Sequence, residues 1–237
     1  METGGFASKR GSYLTNDAPN GRPVMIDGGK AGILIELDAQ TGKLLWKLPV
    51  GVHDGHDHDG LLTEHATPIS RAVPPAKFCL EPSTYGSILT QLASNGSTTF
   101  AAINDMALPA TPSGYTESAV AIIQAIEKAP GEMVAVNQDT GTVEWDTPLQ
   151  STPYGAATVT NDVVLTTSFH GDLYVLDAAT GVILFKTPMS AGSNAPVAVD
   201  GDYVIAGAGA ALSTTQRDMI IAYKPGATGK LPDTVGA

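Results

Sequence analysis

A short pattern occurring three times constrains this chain more than any other feature. It reads ELDAQTGKLLW from Glu36 to Trp46, AVNQDTGTVEW from Ala135 to Trp145, and VLDAATGVILF from Val175 to Phe185. In register, Asp38, Asn137 and Asp177 coincide, as do Thr41-Gly42, Thr140-Gly141 and Thr180-Gly181, and the aromatics Trp46, Trp145 and Phe185. Each copy has a local logic. A β-rich run such as Leu173-Tyr174-Val175 leads into an Asp or Asn, whose side chain can bond backbone amides two and three residues on and start a tight turn. The glycine supplies the positive φ that ends the turn. A second strand then carries the aromatic. The unit is a β-hairpin with a chemically fixed loop, and its aromatic is a flat side chain suited to packing between neighbouring hairpins.

A second pattern precedes the hairpins: strand, Asx/Gly turn, strand. It begins at Tyr154, turning at Thr160-Asn161-Asp162, and at Asn194, turning at Asp200-Gly201-Asp202, with a weaker version from Tyr85 turning at Asn95-Gly96. Joined, the two patterns give four strands per unit at a period near 40 residues, the spacing from Asn137 to Asp177. That is the sequence mark of a β-propeller blade. The fold expected is all-β: a partial propeller of about four four-stranded antiparallel blades over residues 22–226, about half a ring. Residues 1–21 and 227–237 are expected to be flexible flanks. The segment Glu117 to Ala129 breaks the pattern and predicts one short inserted helix, ended by Pro130-Gly131.

Composition narrows function. The net charge of −11 argues against nucleic acid, since phosphate binding needs a basic surface. No segment approaches the roughly 20 apolar residues that span a bilayer, so membrane insertion is not expected. The single Cys79 forms no intramolecular disulfide and has the character of a packing residue. The N-terminus lacks the apolar core of a signal peptide; either the protein stays in the cytoplasm or Met1 is not the natural start.

The motif Ala-x-Asp/Asn-x-x-Thr-Gly-x-x-x-Trp, complete from Ala135 to Trp145, resembles the tryptophan-docking repeat of the pyrroloquinoline-quinone (PQQ) propellers. Glu36 and Val175 replace the Ala in the other copies, and Phe185 replaces a Trp. The family includes quinoprotein alcohol dehydrogenases and non-catalytic outer-membrane assembly propellers. The resemblance implies blades held together by Asp38, Gly42, Trp46, Asn137, Gly141, Trp145, Asp177, Gly181 and Phe185, and a periplasmic or extracellular location. It also implies PQQ with Ca2+ as cofactors of a full-length parent, if that parent is an enzyme. The vicinal Cys pair of many such dehydrogenases is absent, and their Ca2+ ligands cannot be assigned here.

One further stretch could carry chemistry. GVHDGHDHDGLLTEH contains His53, His56, His58 and His65, interleaved with Asp54, Asp57, Asp59 and Glu64. Imidazole and carboxylate mixtures build transition-metal sites, so His53, His56, His58, Asp54, Asp57 and Asp59 are the candidate metal ligands. A solvated loop whose Asp and Gly make turns is the alternative. His170, in SFHGD, has the character of a turn or channel-edge residue. Two functions stay open: a PQQ-repeat propeller acting as a binding or scaffold module, and part of a PQQ-dependent alcohol or sugar dehydrogenase. The expected partner is a second half of the propeller or another copy of the chain.

Overall fold

The computed structural model describes residues 13–15, 20–29, 32–50, 88–106, 110–111, 114–115, 119–211 and 213–231. These form seventeen strands and one helix: β1 Tyr13–Thr15, β2 Val24–Gly29, β3 Ile33–Asp38, β4 Leu44–Pro49, β5 Ala93–Ser94, β6 Thr98–Asn104, β7 Ala110–Thr111, β8 Gly114–Tyr115, α1 Ala119–Lys128, β9 Gly131–Asn137, β10 Val143–Leu149, β11 Thr158–Thr160, β12 Val163–Thr167, β13 Asp172–Asp177, β14 Ile183–Pro188, β15 Ala198–Asp200, β16 Tyr203–Ala208 and β17 Met219–Tyr223. The main strands assemble into four antiparallel sheets, ordered β1-β2-β3-β4, β10-β9-β6-β5, β11-β12-β13-β14 and β15-β16-β17. The expected four blades and single short helix are present, and β1 supplies an edge strand to the first blade that no repeat pattern announces.

Blades stack face to face because each turns an apolar row toward its neighbour. Pairing partners share a face and successive residues alternate. Val24, Ile26 and Leu34 of the first blade meet Ala101, Ile103, Val134 and Val136 of the second. Phe100, Met133, Ala135 and Trp145 of the second meet Val164, Tyr174 and Leu176 of the third. Leu165 and Leu173 of the third meet Val197, Ala206, Ala208 and Ile221 of the fourth, and Leu231, in the segment read from sequence as tail, packs there too. Backbone bonds join successive units: Thr152 N–H donates to Ala129 O at 2.9 Å, Phe169 N–H to Thr152 O at 3.0 Å, and Ala210 N–H to Gly192 O at 2.9 Å.

The second blade differs in one way. Where short connections join the corresponding strands of the first and third blades, β6 and β9 are connected through β7, β8 and α1. They nevertheless pair in register from Thr98↔Asn137 to Asn104↔Gly131. Gly131 is required at that rejoining point: a Cβ there would stand 2.4 Å from Ile103 O and 2.3 Å from Pro153 Cδ.

Candidate functional site at the outer strand of the third blade

The three turns are chemically one object. Asp38 Oδ1 accepts from Gln40 N–H at 3.1 Å, Thr41 N–H at 2.8 Å and Thr41 Oγ1 at 2.8 Å. Asn137 Oδ1 takes the same three donors from Asp139 and Thr140, each at 3.1 Å, and Asp177 Oδ1 takes them from Ala179 and Thr180 at 3.0, 2.8 and 2.8 Å. Hydrogen bonds from Thr41 and Thr180 hold the Asp38 and Asp177 carboxyls below the ordinary carboxylate range. Gly42, Gly141 and Gly181 close the turns at φ +68°, +64° and +72°.

Each turn after the first receives the aromatic of the preceding blade. Trp46 Nε1 donates to Gln138 O at 2.7 Å, and Trp145 Nε1 donates to Ala178 O at 3.0 Å. Their rings lie directly on the glycines. A Cβ on Gly141 would stand 2.6 Å from Trp46 Cγ, and one on Gly181 would stand 2.6 Å from Trp145 Cε3. The glycine thus serves twice, for its positive φ and for the space the indole takes. Trp145 also packs at 5.8 Å, ring to ring, on Phe100.

The third aromatic behaves differently. Phe185 is 52% exposed, and it belongs to a run in which Val182, Ile183 and Leu184 are also exposed. The next blade has three strands and no Asp-x-x-Thr-Gly turn to receive a ring. β14 is an outer strand of its sheet, so one of its backbone edges has no ladder partner among the described residues. An apolar edge strand of this kind is a template for pairing with another chain.

Buried carboxyls form a second feature. Glu132, on β9, and Asp105, just past β6, are fully enclosed, and Asp146 lies on the neighbouring strand β10. Register puts Glu132 and Asp146 on the face turned toward the first blade, with Val134 and Ile103. Burial pushes the Glu132 carboxyl far up, and the Asp105 and Asp146 carboxyls beside it add to the shift. Burial also raises Asp146. Nearby, Asn104 Nδ2 donates to Tyr154 Oη at 2.7 Å. In the first blade, Glu36 replaces the Ala of the full motif and is buried beside Arg22 Nη2 at 3.7 Å. Its carboxyl is pushed up to about 7, chiefly by burial, with Arg22 pulling it back.

His53, His56, His58, Asp54, Asp57 and Asp59 lie outside the described residues, as does Cys79. His170 stands in the turn between β12 and β13. Among the described residues no three His, Cys, Asp or Glu side chains converge as a metal-holding group. The described carboxyls therefore include no assembled group of three that would hold Ca2+. A single cysteine cannot make a vicinal pair. The sequence does not reveal the carboxyl group, since Asp105, Glu132 and Asp146 come from three strands or strand ends that only the β6–β9–β10 register brings together.

Comparison with known proteins agrees with this architecture. Residues 129–224 match the family model of outer membrane protein assembly factor BamB. A quinohemoprotein alcohol dehydrogenase from Pseudomonas putida HK5 superposes with a TM-score of 0.68 at 21% identity, over 97% of this chain and 40% of that one. The quinohemoprotein alcohol dehydrogenase from Comamonas testosteroni gives a TM-score of 0.65 at 18% identity, over 95% of this chain and 39% of that one. The computationally designed Ika4 protein gives 0.51 at 14% identity, over 91% of this chain and 90% of that one. This chain therefore spans about two fifths of the length of the two dehydrogenases. No curated protein matches it in sequence. Residues 129–224 thus resemble the PQQ-repeat family, and the described residues build four blades of the β-propeller type.

Proposed function

We propose that this chain is a binding module of the PQQ-repeat type that works outside the cytoplasm and takes an extended protein segment along the outer strand of its third blade. One observation carries this: Ile183, Leu184 and Phe185 of the edge strand β14 are 39%, 56% and 52% exposed, and Val182 just before it is 59% exposed. Added strands gain main-chain hydrogen bonds from such an edge and specificity from its side chains. The match of residues 129–224 to an assembly factor supports the same function class. Among the described residues no helix is long and apolar enough to cross a membrane.

A second function, part of a PQQ-dependent alcohol or sugar dehydrogenase, draws support from the 0.68 TM-score over 97% of the chain. In that case PQQ with Ca2+ would be supplied by the full-length parent, with Ca2+ as the Lewis acid, and the His53–Asp59 stretch is where a transition metal would be sought. Two measurements separate the functions. In the first, a panel of extended ten-residue peptides is titrated against the chain. The binding function predicts saturable peptide binding that weakens at least tenfold when Leu184 and Phe185 are both changed to Ser. In the second, a dye-linked alcohol oxidation assay contains added PQQ and Ca2+. Quinone-dependent dye reduction, with peptide binding absent or indifferent to the double substitution, would overturn the binding function in favour of the dehydrogenase.

A further inference from the structure

We propose that Glu36 makes the contact between the first and second blades a pH-operated latch: with its carboxyl neutral, Trp46 docks on the second blade, and with its carboxyl ionised, the indole is released. The latch is independent of the peptide-binding strand, since it includes no part of the third blade.

Three rows in equivalent places carry the docking aromatics. Pairing aligns Ile26, Glu36 and Trp46 in the first blade. It aligns Phe100, Ala135 and Trp145 in the second, and Leu165, Val175 and Phe185 in the third. Only the first row holds an ionisable group, and it holds it where the complete motif has Ala. The contact in which Glu36 sits is otherwise apolar, with Val24, Ile26, Val136 and Val143 in one cluster. Glu36 itself is 1% exposed.

The charges around Glu36 do not balance its ionised form. Arg22 Nη2 stands 3.7 Å from Glu36 Oε1, beyond hydrogen-bonding distance, on a side chain that is 37% exposed and so screened by water. Glu36 Oε2 has no hydrogen-bond partner among the described residues. Asp139, in the turn of the second blade, adds a repelling carboxylate, and Asn20 Nδ2 reaches that carboxylate at 3.5 Å. Glu132 and Asp146 also face the first blade, from the other end of β9. Burial outweighs Arg22, and the Glu36 carboxyl stays neutral up to about pH 7.

The indole N–H is the moving part. Trp46 Nε1 donates to Gln138 O at 2.7 Å, and it also faces the Glu36 carboxyl. A carboxylate accepts a hydrogen bond more strongly than a neutral carbonyl does, so ionisation sets Glu36 competing with Gln138 for one donor. A buried charge whose only cation is screened also draws water into the contact. Both effects act against the docked ring. Ala135 offers Trp145 no such competitor.

Trp46 and Trp145 are the two tryptophans of the chain, so intrinsic fluorescence of the full chain tests the latch. Trp145→Phe leaves Trp46 as the reporter, and Trp46→Phe leaves Trp145; phenylalanine already stands at this position in the third copy of the motif. Between about pH 5 and about pH 9, the Trp46 emission should move to longer wavelength with a midpoint near pH 7, and the Trp145 emission should stay in place. Glu36→Gln in the Trp145→Phe background should abolish the shift. Glu36→Ala, which restores the residue of the complete motif, serves if Glu36→Gln alters the far-ultraviolet circular dichroism. Arg22→Gln removes the group that favours the ionised form, so the midpoint should rise. A Trp46 emission that stays constant with pH, a shift that survives the Glu36 substitutions, or an equal shift at Trp145 would overturn the latch.

Discussion

Trp145 and Phe185 occupy the same place in successive copies of one motif, yet they meet different surroundings. Trp145 is 9% exposed, donates its indole N–H across to Ala178 O and lies on Gly181. Phe185 is 52% exposed. The two strands that carry them are built alike, each with a register shift beside the turn, at Val143/Trp145 and at Val175/Leu176. What differs is the next blade. The third blade presents an Asp-x-x-Thr-Gly turn with room for a ring, and the fourth has no such turn. An aromatic at the docking position is half of an interaction; its burial is decided by the glycine of the following unit.

The comparison is sharpened first by removing the rings. Trp145→Ala should destabilise the fold by about 3–5 kcal/mol, the usual range for deleting a buried large aromatic. Trp46→Ala, from a half-buried position, should cost about 2–3 kcal/mol. Urea midpoints measure both, and equal midpoints for wild type and Trp145→Ala would show that the ring holds no blades together.

The glycines give the next largest effects. Gly42, Gly141 and Gly181 share a left-handed conformation, so an alanine at any of them costs about 1 kcal/mol from the backbone. Only at Gly141 and Gly181 does its methyl also collide with an indole. Gly181→Ala should therefore cost about 2–4 kcal/mol once overpacking is added, and Gly42→Ala about 1 kcal/mol.

The buried carboxyls make the contact between the first and second blades, where Trp46 docks, sensitive to pH. Glu132 holds its proton through neutral pH in the folded state, Asp146 holds one only up to about pH 6, and Glu36 up to about pH 7. A folded pKa raised above the unfolded one means that folding retains protons that the unfolded chain has released. This stabilisation is complete below the ordinary carboxylate range and is lost as pH rises through the folded values. Thermal midpoints should be higher near pH 5 than near pH 8. Glu132→Gln, which keeps the shape without an ionisable proton, should raise stability at pH 8 by about 1–2 kcal/mol and flatten the profile. A profile that rises with pH would contradict the protonated state. The smallest effect is expected at the exposed ring: Phe185→Ser should change stability by no more than about 0.5 kcal/mol, since the side chain it removes is already half in water.

Most of the fold is legible in the sequence because its signals are local. Asp38, Asn137 and Asp177 make their turns with donors two and three residues away, so three copies of one short motif mark three blades. The Asn95-Gly96 turn, with Gly96 at φ +95°, is legible for the same reason. β1 is not, because three residues carry no periodicity and their strand exists only through pairing with Val24–Ile26. The site was less legible. Phe185 reads in sequence as one more docking residue, and its exposure depends on a turn missing from the following unit. Glu132 and Asp105 reveal nothing in sequence, since their proximity arises from the β6–β9 pairing across an inserted helix.

An aromatic from one blade and a turn glycine from the next form a single energetic unit. A double-mutant cycle on Trp145 and Gly181 tests it most directly. If the indole occupies the space above Gly181, the cost of Gly181→Ala measured in the Trp145→Ala background should fall to that of Gly42→Ala in wild type, about 1 kcal/mol. An unchanged cost of Gly181→Ala in both backgrounds would mean that the two residues act independently and that the blades are held together by other contacts.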